Sequence, residues 1–135
     1  MNDYDRNLIN EFRANRGKAT SDVANQRVVL LTTVGKKSGQ PRTTPLVYTT
    51  DGDRLVVIAS KGGAPTNPDW YYNLLANPTV TVELRDETFQ ARARVVEGAD
   101  RERLYDAHAA VLPVFDDYRR KTTRQIPVIV LERLA

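Results

Sequence analysis

The chain has 135 residues, 41% hydrophobic and 27% charged, with a net charge of +3 and no cysteine. That length sets one compact domain over residues 1–135 as the expectation, and it is enough to bury a core. The missing cysteines exclude disulfides, thiolate catalysis and cysteine-type zinc sites and fit a reducing cytoplasm; the longest apolar run, Leu55–Ala59, is far short of the roughly 20 residues that span a bilayer.

In chain order, Asp3 to Arg16 reads as a short amphipathic helix. Tyr4, Leu8, Ile9 and Phe12 fall on one side, Gly17 can end it, and residues 1–17 form an N-terminal helical segment without an apolar signal core. Its polar side mixes Asp5, Arg6, Glu11 and Arg13, so packing on the body of the protein outranks a peripheral membrane contact. RVVLLTTV, from Arg27, is rich in β-branched residues and reads as a strand. RTTPLVYTT reads as a second strand, with Pro45 marking an edge or a bulge because proline cannot donate to a ladder. TDGDR is a hairpin turn and LVVIAS a third strand. KGGAPTNP must be loop, and PDWYYNLLANP a short helix closed by Asn77-Pro78. TVTVEL and TFQARARVVEG alternate like strands around RDE. A helical stretch from Gly98 to Thr122 is interrupted at Pro113, and IPVIVLERL is a last strand. Short, hairpin-like connections favour an α+β fold: a mainly antiparallel small barrel of about six strands with two to three outer helices.

Two stretches carry chemistry. VGKKSGQPRTTP places Lys36, Lys37 and Arg42 in a glycine-bounded turn, and their three charges equal the whole net charge, so the rest of the chain sums to zero. That pattern favours a local anion site over a nucleic-acid face. A glycine turn can form a nest of N–H groups, and arginine can grip two oxygens of an anion; the alternative is a solvated hairpin whose cations guard an edge. The spacing of a P-loop is absent. ASKGGAPTNPDWYYNLLANP sets Gly62-Gly63 after a buried strand, where a planar ligand can approach the backbone, with Lys61 at the strand exit. Among Trp70, Tyr71 and Tyr72, core packing is expected of at least one. His108, the single histidine, has no metal-ligand partner at useful spacing; no metal is expected, and a surface or half-buried structural role is. Asp116 and Asp117 beside Arg119, Arg120 and Lys121 read as a mutually compensated helix end. No Ser/His/Asp signal of acyl transfer is present.

Together, in order, LLTTVGKKSGQPRTTPLVY and ASKGGAPTNPDWYYNLLANPTVTVEL resemble the deazaflavin-dependent nitroreductase family, actinobacterial-type reductases that use coenzyme F420. The resemblance runs from about Arg27 to Leu84 and implies a split β-barrel related to FMN-binding proteins. It implies that the coenzyme phosphate lies on Lys36, Lys37, Ser38 and Gly39, with Arg42 and Pro45 beyond, and that the ring lies against Ile58, Ala59, Ser60, Lys61, Gly62 and Gly63, closed by Trp70 and Asn73. Arg16 and Lys18 are the candidates for its anionic glutamyl tail, and Tyr48 and Tyr118 for a phenol that supports hydride transfer. The acceptor is expected to be a small, apolar or quinone-like molecule. Family members that activate nitroimidazoles carry several tyrosines before the last strand; AVLPVFDDYRRKT keeps only Tyr118, which argues for weak nitroimidazole turnover. An FMN oxidoreductase on the same barrel and a non-catalytic binder of deazaflavin or another anionic amphiphile are the competing expectations, and pairing into a homodimer through a strand face accords with barrels of this kind.

Overall fold

The structure, a computed structural model, describes residues 3–14 and 27–134. Its elements are α1 (Asp3–Ala14), β1 (Val28–Val34), β2 (Pro41–Val47), β3 (Thr49–Asp51), β4 (Arg54–Ile58), α2 (Asp69–Ala76), β5 (Thr79–Leu84), β6 (Glu87–Val96), α3 (Gly98–Val111), α4 (Val114–Lys121) and β7 (Val128–Arg133). The strands make one seven-stranded sheet in the order β2-β1-β5-β6-β7-β4-β3. Every pairing is antiparallel.

The count of about six strands rises to seven because the second predicted strand is two. Tyr48 separates β2, which pairs with β1, from β3, which pairs with β4. These are the two edges of the sheet, joined by a single residue, so the sheet must curl until its edges meet. Tyr48 sits at that corner with its N–H donated to the Arg27 carbonyl at 2.8 Å and its ring in the barrel interior. Pro45 lies on edge strand β2 opposite Leu30, where its missing N–H costs no second ladder. Among the described residues the α-helices number four, since Pro113 divides the last helical stretch into α3 and α4.

The barrel interior takes alternate residues of the strands, among them Val29, Leu31, Leu55, Val57, Val80, Val82, Ile129 and Leu131. The other faces of β4 and β7, through Val56, Ile58, Val128 and Val130, pack on Leu104, Tyr105 and Phe115 of α3 and α4. Ile9 and Phe12 of α1 cover Val28 and Leu30 of β1. Each such side chain contributes about 1.5–3 kcal/mol when fully buried, which anchors α1 on the barrel. Leu8 is half-buried, but Tyr4 stays 66% exposed, outside that cluster. Gly17, Arg16 and Lys18 lie outside the described residues.

His108 departs from expectation: it is fully buried. Leu104, Tyr105, His108 and Ala109 form one buried stripe on α3 at spacings of one and four residues, so the ring is carried into the core with its apolar neighbours. Its Nδ1 meets Thr49 Oγ1 at 2.7 Å and its ring stands edge-on to Phe115. Nε2 has no partner. Burial, and then the charge of Arg27, pull its pKa down from 6.5 to about 4. On α4, Arg119 pairs with Asp116 and Asp106, and Arg120 with Asp117, the compensated end that the sequence implied.

Candidate functional site: a cationic groove

The β1–β2 turn is built by its glycines. Gly35 N–H donates to the Gln40 carbonyl at 2.8 Å, Gly39 N–H to the Gly35 carbonyl at 2.9 Å, and Gln40 N–H to Ser38 Oγ at 3.2 Å. Gly39 has φ +70°, a conformation that L side chains avoid. A Cβ on Gly35 would meet Ser38 Oγ at 2.5 Å and Gln40 O at 3.2 Å. Asn73, buried on α2, ties this turn to the barrel: its Oδ1 accepts the Lys36 N–H at 2.9 Å and its Nδ2 donates to Thr33 Oγ1 at 3.3 Å. The N–H groups of Lys37 and Ser38 have no partner among the described residues.

The turn forms one wall of an open groove of about 1290 Å³. Arg42, Thr43 and Thr44 of β2 continue that wall, α1 contributes Asp5, Arg6, Ile9, Asn10 and Arg13, and α2 contributes Asp69, Trp70, Tyr72 and Asn73. Five cations (Arg6, Arg13, Lys36, Lys37 and Arg42) therefore face two carboxylates (Asp5 and Asp69). Arg13 is held by Glu83 through two bonds of 3.0 and 2.9 Å. Among the described residues no carboxylate pairs with Lys36, Lys37 or Arg42. A concave wall of unneutralised cations beside free N–H groups concentrates anions.

Of the residues predicted from sequence, Lys36, Lys37, Ser38, Arg42, Trp70 and Asn73 come together on this groove. Gly39 is exposed beyond its wall, and Pro45 is half-buried in mid-β2. Ile58, Ala59 and Ser60 are buried at the end of β4, followed by a single 3-10 turn, Lys61–Gly63. On its Gly63 side that turn is filled by the protein itself. Gly63, at φ +83°, lies under α4, where a Cβ would meet Tyr118 O at 2.8 Å and Lys121 Cβ at 3.0 Å. Gly62, at φ +64°, has open space. Gly63 thus serves the approach of α4 as well as a left-handed turn, and Gly62 serves the turn and faces open space, where the sequence favoured a ligand over a plain turn. Lys61 Nζ bonds Thr66 Oγ1 at 3.2 Å. Neither predicted phenol lines the groove: Tyr48 is inside the barrel, and Tyr118 packs edge-on against Phe115 beside α3.

Two residues stand out that the sequence reading passed over. Arg124, between α4 and β7, donates to the carbonyls of Ala64 at 3.1 Å, Ala59 at 3.2 Å and Ser60 at 2.8 Å, and to Asn67 Oδ1. Desolvation pulls its pKa below the usual arginine value. Tyr72, read only as a packing candidate, lies on the groove wall with its Oη accepting the Asn67 Nδ2–H at 3.3 Å. A lone arginine in TTRQIP carries no sequence signal of this role, and Tyr72, two residues from the buried Trp70, does not share its helix face.

The fold is a split antiparallel barrel, and its open, cation-lined groove favours an anionic small-molecule ligand. Comparison gives the family. The family model described as F420H2-dependent quinone reductase matches residues 4–133, and the chain belongs to that family. It is 42% identical over 108 residues to F420H2-dependent quinone reductase Rv1261c of Mycobacterium tuberculosis, covering 78% of this chain and 72% of that protein. The solved structure of an F420-H2 dependent reductase, FDR-A, superposes with a TM-score of 0.74 at 38% identity, over 84% of this chain and 100% of that one. A structure described as a domain-swapped dimer superposes with a TM-score of 0.76 at 35% identity, covering 94% of this chain and 93% of that one. Among the described residues no helix is long and apolar enough to cross a membrane, and no cluster of metal-ligating side chains is present.

Proposed function

We propose that the groove holds coenzyme F420 and that the chain reduces a quinone-like acceptor with it. Family membership makes the chain an F420H2-dependent reductase with coenzyme F420 as its cofactor. The observation that carries the site assignment is the unneutralised trio Lys36, Lys37 and Arg42 on the groove, beside the free N–H groups of Lys37 and Ser38. This donor set fits a phosphate diester, and the groove is at least as large as small-molecule pockets of roughly 300–1,000 Å³.

Lys36, Lys37, Ser38 and Arg42 would hold the phosphate. The segment Ile58–Gly63, open at Gly62, and Trp70 would bound the ring. Asn73 holds the turn through both ends of its amide, and its second N–H would remain for the ligand. The reduced coenzyme supplies a hydride; the protein supplies binding, orientation and electrostatics. The acceptor is small and apolar or quinone-like, and nitroimidazoles are turned over weakly. The chain pairs with a second copy, as the relative described as a domain-swapped dimer does. The test follows loss of reduced-coenzyme absorbance with menadione and with a bicyclic nitroimidazole. Fast menadione reduction and slow nitroimidazole reduction are expected; fast nitroimidazole turnover would contradict the specificity.

A further inference from the structure

We infer that Tyr72, oriented by an Asn67–Arg124 relay, is the proton donor to the acceptor that the groove binds. The inference rests on the reading of the groove as an F420H2-dependent quinone-reducing site.

Three observations carry it. Among the described residues lining the groove, Tyr72 is the one phenol, and the residue is 42% exposed. Its ring is steadied by Tyr71, edge-on with centroids 5.4 Å apart. Its hydroxyl is pre-set, because Oη accepts the Asn67 Nδ2–H at 3.3 Å, which leaves the phenolic hydrogen free to donate elsewhere. The Asn67 amide has its direction fixed by its other end, since Oδ1 accepts from Arg124. Arg124 is in turn immobilised on the carbonyls of Ala59, Ser60 and Ala64. Among the described residues all its hydrogen-bond acceptors are uncharged, so a cation without a carboxylate partner there stands at the head of the relay. That charge polarises the chain Arg124–Asn67–Tyr72 towards donation.

The chemistry needs such a donor. The quinone gains a hydride, two electrons and one proton, from the reduced coenzyme, which is oxidised in the exchange, and becomes a hydroquinone monoanion. Its anionic oxygen takes the Tyr72 proton: the tyrosine O–H bond breaks and a hydroquinone O–H bond forms. The exposed phenolate then recovers a proton from water. Tyr72 is the catalytic residue in this scheme. Asn67 and Arg124 are positioning residues.

Tyr72→Phe tests it with little risk to folding, since it removes one exposed hydroxyl. General acids contribute typically 10²–10⁴-fold, and water can partly replace a half-exposed one, so a fall in kcat with menadione of about 10-fold or more is expected. The coenzyme dissociation constant, read from its fluorescence, stays within about twofold of wild type. Trp70 is the chain's single tryptophan and lines the groove, so its emission reports acceptor binding without turnover. Menadione titrated into the coenzyme-free protein binds more weakly to Tyr72→Phe than to wild type. Asn67→Ala lowers kcat in the wild-type background and adds nothing in the Tyr72→Phe background, whereas a merely structural role would make the losses additive. If wild type binds coenzyme and reduces menadione, and Tyr72→Phe matches it in both kcat and menadione binding, the inference is overturned while the function stands. If wild type neither binds coenzyme nor reduces menadione, both are overturned.

Discussion

Gly62 and Gly63 sit side by side in left-handed conformations, yet only one is crowded. Alanine at Gly62 meets no heavy atom within 4 Å, so it bears only the left-handed cost of about 1–2 kcal/mol. Alanine at Gly63 bears the same cost and also drives its Cβ to 2.8 Å from the Tyr118 carbonyl and 3.0 Å from Lys121 Cβ. The first of these is helix backbone, so α4 must move; overpacking of this kind costs about 1–3 kcal/mol more. The unfolded-chain entropy gained on replacing glycine is the same at both sites and cancels in the difference. Urea denaturation at neutral pH should therefore place Gly63→Ala about 1–3 kcal/mol below Gly62→Ala. Equal stabilities, or Gly62→Ala as the weaker fold, would refute the reasoning that Gly63 is there for α4. A Gly63→Ala protein that folds as well as Gly62→Ala but loses coenzyme would return both glycines to the ligand.

Burial of a neutral His108 makes stability pH-dependent in a defined window. Between its ordinary value of 6.5 and its folded value of about 4, the unfolded chain takes up a proton that the folded chain refuses, so stability is complete above 6.5 and falls as pH falls. The loss is about 2 kcal/mol at pH 5 and about 3 kcal/mol at pH 4; His108→Gln should flatten this part of the urea-denaturation profile, and an unchanged slope would contradict it. Asn73→Ala leaves the Lys36 N–H and the buried Thr33 hydroxyl unpartnered, a loss of about 1–3 kcal/mol with weakened coenzyme binding, read by the same denaturation and by fluorescence. Arg13→Ala removes the Glu83 pair, half exposed on the arginine side, and should change stability by less than about 1 kcal/mol.

Much of the fold was legible because the signals were local. β-branched runs, Pro45, Pro113 and the hairpin turns each dictate backbone geometry within a few residues. The basic turn was legible for the same reason: its glycines and cations are contiguous, and the structure adds only that Asn73 holds it. What the sequence hid is non-local. The break at Tyr48 is invisible in RTTPLVYTT, because both halves are good strand and only their different partners, β1 and β4, separate them. Tyr48 is consequently a corner residue of the core, where a reader sees an available phenol. His108 was misplaced because its neighbours are alanines, whose burial on α3 depends on the sheet beneath. Arg124 acts on oxygens 57 to 65 residues earlier in the chain, and no spacing rule reaches that far.

The Lys36–Arg42 wall of the groove is proposed to bind the anionic part of coenzyme F420. The direct measurement is a titration of purified protein into the coenzyme, followed by its fluorescence, with Lys37→Ala and Arg42→Ala alongside. Removing a charge-assisted contact worth about 1.5–3 kcal/mol should weaken binding by roughly 10-fold or more in each variant. The account predicts a saturable change for wild type at micromolar protein and this loss in both substitutions. No saturable change for wild type would contradict the function, and wild-type affinity in both variants would contradict the site.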